Sequence, residues 1–410
     1  MKYLLLFLFS LIYCAEKADV YFTKTITPER MVDMLKTLDV SLPGNVALKV
    51  HTGEPNGPYF LRPDFLQNIY DYTQGTFLEC NVAYFSQRVD TSTHKKVLQT
   101  NGWTDNNRRI EIMDEDPSQD ISFNIDTYNK INSTYAGAKL INYDSCVVLS
   151  HFKGHTMGGY GGALKQLSIG FASRQGKAWI HTAGVTRDYT QTFSKAASQE
   201  DFTASMADAA SAIVKYFKSK GNIVFINVIA NISLRCDCEG SAAPAPEIND
   251  IGILASTDPV AIDMACLDFI RNTSEKGTQP FLEQVKAKLG ENTIYKAEAL
   301  GIGTTKYNLI NIDEESEEEE EGEREGEKEG EGEKEGEGEG EGERSEEREE
   351  GEEKKEKEES EESERTEENE EEEERKEDEE EEDKDNTDGN IGSFIYFNII
   401  MLLFGVLMLI

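Results

Sequence analysis

The chain is missing what several functional classes require. Residues 313–388 contain no aromatic and no large aliphatic side chain, so they have nothing to bury against the entropy of ordering. With 47 acidic and 12 basic residues, that stretch carries nearly all of the chain's net charge of −38. It reads as a disordered Glu/Gly/Lys-rich tail extended by self-repulsion; such a tail can bind cations weakly, but the plainer reading is a solvated stalk. The remaining residues hold 33 acids and 30 bases without a concentrated basic patch, which argues against a nucleic-acid partner. Cysteine is scarce, at positions 14, 80, 146, 236, 238 and 266, and the spacing fits no disulfide framework. There is no GxxxxGK[ST] phosphate loop, and GGYGGA at 158–163 does not match a GxGxxG fingerprint. No CxxCxxCxxxCP run occurs, so a ferredoxin-type 4Fe–4S cluster has no ligands here.

The two ends are apolar. Residues 1–15 (MKYLLLFLFSLIYCA) combine one lysine with an apolar run too short to span a bilayer, the form of a signal peptide. Residues 391–410 are apolar to the last position and read as a transmembrane helix or a GPI signal. Together these ends predict a secretory-pathway protein, anchored to a membrane by its C-terminus at a cell surface or in a lumen. Sequons at Asn132, Asn231 and Asn272 are compatible with a glycoprotein.

Between the ends, residues 19–312 alternate apolar strands with helices. Strands are expected at 45–51, 76–80, within RIEIMDED, and at 145–151, 222–229 and 250–257. Helices are expected in PDFLQNIYDYTQ, at 92–100 and 202–221, and after an Asp258 cap with Pro259 at the first helical position. This pattern predicts an α/β fold: a mostly parallel sheet with helices on both faces. Ligands of such sheets gather beyond the carboxyl ends of the strands. His51 and Glu54 fall there, as do His151, Lys153 and His155, and then Arg235, Cys236, Asp237 and Cys238.

Cys236 and Cys238 offer two soft donors to one metal, and His151 and His155 could complete a shell; the alternative is an oxidised pair or two unligated thiols. In SHFKGHTMGGYGGALKQLSIGFASRQGK, Gly158, Gly159, Gly161 and Gly162 read as clearance around a bound group. Lys153, Lys165, Arg174 and Lys177 would supply positive charge to a small-molecule ligand. His51 and Glu54 could form an acid/base or ligand pair, with Arg62 a short loop away. His94 lies in a polar helix and reads as a surface residue. Cys146 and Cys266 read as core.

Four segments, VALKVHTGEPNGPYFLRPDF, the glycine stretch, INVIANISLRCDCEGSAAPAPEINDIGILASTDPVAIDMA and YKAEALGIGTTKYNLI, resemble domain-of-unknown-function family 362 in order over residues 45–312. Many members of that family are iron–sulfur-associated through a ferredoxin-like insert between the positions matching 177 and 202. Here that interval has no cysteine, so cluster chemistry does not carry over, although the paired thiols do match. Separately, His155, Lys165 and His181 are similar in spacing to the His…GGxK…His arrangement of nickel-pincer lactate racemases. That similarity implies that Lys165 tethers or positions a cofactor, His181 ligates metal and His155 acts in acid/base chemistry. The resulting expectation is a metal- or cofactor-binding domain with redox or isomerase activity; the alternative is a non-catalytic surface binding or adhesion module on an acidic stalk.

Overall fold

A computed structural model describes residues 17–116 and 118–313. The expected signal peptide, the acidic tail beyond 313 and the C-terminal apolar segment lie outside the described residues. Among the described residues, no helix is long and apolar enough to cross a membrane.

The strands of the main sheet are β1 (Ala18–Thr23), β2 (Val46–Lys49), β3 (Thr76–Glu79), β4 (Ile110–Ile112), β7 (Ser145–His151), β10 (Ile223–Ile229), β11 (Gly252–Ser256) and β12 (Tyr307–Asn311). Two small hairpins lie apart from it: β5 (Asp120–Asn124) with β6 (Ser133–Gly137), and β8 (Lys153–His155) with β9 (Gly159–Gly161). The sheet order is β12-β1-β11-β10-β7-β2-β3-β4. As expected it is mostly parallel, but β11 runs against both of its neighbours, β1 and β10. Sequence reading placed β11 as one more strand of the series and did not find β1 or β12. Apolar content reports that a strand is buried; it carries no sign of strand direction.

The helices are α1 (Pro28–Thr37), α2 (Gln67–Thr73), α3 (Thr91–Thr100), the single turn α4 (Ala163–Lys165), α5 (Arg174–His181), α6 (Gln199–Lys220), α7 (Pro259–Arg271), α8 (Thr278–Ala287) and α9 (Gly290–Ala299). They cover both faces, and β10 shows why. Its side chains alternate, so Val224, Ile226 and Val228 join one core with Met31 and Met34 of α1. Ile223, Phe225 and Ile229 join the opposite core with Ala210, Ile213 and Phe217 of α6 and Val260 and Ile262 of α7. The start of α7 is as expected: Asp258 accepts hydrogen bonds from the amides of Val260 and Ala261, at 2.8 and 2.9 Å, and Pro259 occupies the first turn. Cys146 and Cys266 are buried in the core.

Candidate functional site

The carboxyl ends of β2, β3, β7 and β10 open onto a cavity of about 300 Å³. Its polar lining comes from His51 after β2, Glu79 and Cys80 at the end of β3, Arg88 from the following loop, and His155 at the end of β8. Lys165, Lys177 and His181 enter from α4 and α5, and Cys236 and Cys238 from the loop after β10. Val82, Met157, Ile169, Phe193 and Phe202 form its apolar part.

One wall is a buried ion network. Lys49 reaches Glu79 at 3.0 Å, and Arg88 bridges Glu79 at 3.3 Å and Glu54 at 2.9 Å. Tyr84 and Ser86 also donate to Glu54, at 2.6 and 2.5 Å. Burial alone would raise the Glu79 carboxyl, but Lys49 and Arg88 outweigh it and hold the group well below the usual carboxylate range. Burial, followed by Arg88 and Lys153, pushes His51 down to about 3 and keeps it neutral. Glu54 is thus bound to Arg88 and not to His51. Arg62 donates to the carbonyls of Gly57 and Pro58 outside the cavity lining.

The sulfur group faces this network. Ligand atoms of His155, Cys236 and Cys238 lie within 4.8 Å of one another, and all five cysteines of the described residues are free thiols. The Cys238 amide donates to the Cys236 sulfur at 3.3 Å. A second hydrogen bond, from the Cys238 side chain, holds Cys236 well below its usual range against the cost of burial, with His155 and Lys165 adding to the effect. The same side-chain bond, with burial, raises Cys238.

Two histidines meet the cavity in opposite tautomers. His155 Nδ1 accepts from the amides of Met157 and Gly158, at 3.1 and 2.9 Å, so its neutral ring carries the proton on Nε2. His181 Nδ1 donates to the Lys177 carbonyl at 2.7 Å, which leaves a lone pair on Nε2. Its ring stacks on Phe202, and burial lowers it to about 4. His181 shares the cavity but does not join the sulfur group.

Other expected site residues lie elsewhere. His151 and Lys153 sit behind the sulfurs on the Asp237 carboxylate. His151 has its Nδ1 3.0 Å from Asp237 and its Nε2 2.7 Å from the Ala230 carbonyl, so neither nitrogen is open to a metal. Arg174 braces the rim, donating to the Val89 carbonyl and to Asp90, both at 2.8 Å, and covering the Tyr189 ring. Gly158, Gly159, Gly161 and Gly162 do not line the cavity. A Cβ on Gly162 would stand 2.5 Å from Asp263, which accepts from the amides of Ala163 and Leu164 at 2.7 and 2.9 Å. Gly159, at φ +81°, passes against Gly290 and Val285. Gly159 and Gly162 let the chain pack on itself. His94, expected at the surface, is fully buried; its Nδ1 pairs with Asn81 at 3.0 Å and burial lowers it to about 3.

Sequence reading did not single out Glu79, Cys80, Tyr84 or Arg88, and it took Lys177 only as general positive charge. The available signals were Lys49 inside an apolar strand and Glu79–Cys80 closing another. A charge in a buried strand demands a partner at the same depth.

A family model described as a domain of unknown function (DUF362) matches residues 46–268. No curated protein matches the chain. Among solved structures, the lactate racemase apoprotein from Thermoanaerobacterium thermosaccharolyticum is similar with a TM-score of 0.35 and 13% identity, over 61% of this chain and 56% of that one. A protein from Thermotoga maritima gives a TM-score of 0.33 and 11% identity, over 66% and 58%. The chain thus spans less than two thirds of either.

Proposed function

The chain belongs to the DUF362 family, and from that premise we propose that it is a metal- or metallocofactor-dependent enzyme with its reaction centre in the cavity at the strand ends. The observation that carries this reading is the convergence of Cys236, Cys238 and His155 within 4.8 Å beside a space of about 300 Å³. Two thiol donors one residue apart suit a soft transition metal, and the lowered Cys236 has the thiolate such an ion needs. His155 fits the group as a proton donor better than as a ligand. With Nδ1 held by two amides, coordination through Nε2 would leave the ring as an anion. When bound, the metal would supply Lewis-acid or redox chemistry.

The protein's own residues supply the rest. His155 carries a proton on Nε2, and His181 offers a lone pair on Nε2 into the same space. Opposed tautomers around one small ligand suit proton removal and return, the work of an isomerase or a redox enzyme. Lys165 lines the cavity between them and is the residue to position a cofactor or ligand. We also read the chain as exported and anchored by its C-terminal segment, on the strength of its two apolar ends.

The deciding experiment is metal titration of the full chain, stripped and reloaded with Ni²⁺, Zn²⁺ or Fe²⁺. About one ion per chain is expected, with affinity falling at least tenfold in Cys236→Ser and in Cys238→Ser and unchanged in Cys146→Ser. Equal retention by all four proteins would sink the metal reading.

A further inference from the structure

Lys177 stands on the cavity wall with no ion pair to the buried network. Only 6% of its surface is exposed, yet it borders the open space. Its amine has one acceptor, the Ala172 carbonyl at 2.6 Å. Among the described residues no carboxylate lies within ion-pair distance of it. Glu79 and Asp114 favour its charge from a distance, but burial outweighs them. Asp114 is held by the amides of Asn81 and Arg174, at 2.8 and 2.7 Å, and burial raises the Cys80 thiol well above its usual range. Lys49, by contrast, lies at similar depth and is fully partnered by Glu79, the Val50 carbonyl and Gln166.

An ammonium has three protons to place, and one placed proton with no counter-charge in contact is a poor arrangement in a buried site. A neutral amine needs fewer acceptors and turns a lone pair toward the cavity. Burial lowers the Lys177 amine below its ordinary value, in the same sense.

We propose that Lys177 is an amine nucleophile that condenses with a small aldehyde or ketone held in this cavity. The Nζ lone pair adds to the carbonyl carbon, and the C=O π pair moves to oxygen. Both amine protons then leave with that oxygen as one water, and a C=N bond remains. No other reactant is required. The apolar lining from Val82, Ile169 and Phe202 suits a short aliphatic substituent. The inference uses the proposed cavity but not its metal.

The test is reductive trapping on the wild-type full chain at pH 7, with limiting butanal, sodium cyanoborohydride and peptide mapping by mass spectrometry. An exposed lysine near pKa 10.4 is neutral in roughly one molecule in 2,500 at pH 7. Lys177 is therefore expected to be alkylated at least tenfold faster than exposed lysines such as Lys276. Labelling no faster than Lys276, or labelling that favours Lys165, overturns the proposal. Lys177→Arg should lose the fast adduct and Lys276→Met should keep it; an adduct that survives Lys177→Arg counts against it. The same preference is expected on metal-stripped and metal-loaded protein, so a failed metal reading and a failed amine reading give different results. Because the primary readout is on wild-type protein, a misfolded variant does not blunt the test.

Discussion

On the wall built from β2 and β3, Lys49, Arg88, Glu54 and Glu79 satisfy one another almost completely. On the facing wall, His155, Cys236, Cys238, Lys165 and His181 present donors and lone pairs to open space. Both walls arise at the carboxyl ends of the same sheet and both contain buried charge. What separates them is whether the charge is used up. A saturated network holds a shape, whereas an unsaturated one waits for a ligand.

The sharpest way to break the comparison is Glu79→Ala. Lys49 and Arg88 would each lose a buried counter-charge, and a loss of about 3–5 kcal/mol is expected in denaturant unfolding. A loss under 1 kcal/mol would mean that the wall is not a saturated unit.

Next comes a titration behind that wall. His94 is neutral in the fold, with its value depressed to about 3 from 6.5, so its contribution is fully present above pH 6.5. It is lost as pH falls toward 3, because the unfolded chain then binds the proton that the fold refuses. Between pH 7 and pH 4 the wild type should lose roughly 3 kcal/mol more than His94→Gln. Parallel pH profiles for the two proteins would contradict this.

The smallest effect is assigned to Arg174→Ala. It removes the brace to Asp90 and the contact with Tyr189, for about 1 kcal/mol of stability. Metal affinity should not move. A tenfold fall in metal affinity would return Arg174 to the cavity and blur the division between rim and site.

The sequence made the sheet and its cavity-bearing edge legible because buried strands leave long apolar runs, and residues just beyond them line the cavity. It brought His155, Lys165, His181, Cys236 and Cys238 into view, and the structure gathers all five around one cavity. It did not separate His151 from His155, although they are four residues apart. The direction of each ring depends on partners such as Asp237 and the Met157 amide, which pattern does not encode. It could not tell the chain contacts of Gly159 and Gly162 from clearance for a ligand, since crowding by the chain itself and crowding by a ligand call for the same residue. The opposed direction of β11 was illegible for a related reason: pairing direction is a property of two segments, not of one.

Gly154 turns out to be a gauge. A Cβ there would stand 2.0 Å from the Leu234 carbonyl, and the Gly154 amide donates to Ser233 at 2.9 Å. The loop that carries Cys236 and Cys238 is therefore seated against the strand that carries His155, with a single hydrogen atom as the spacer. The sulfurs and the imidazole are thereby held to one datum, which fixes their spacing.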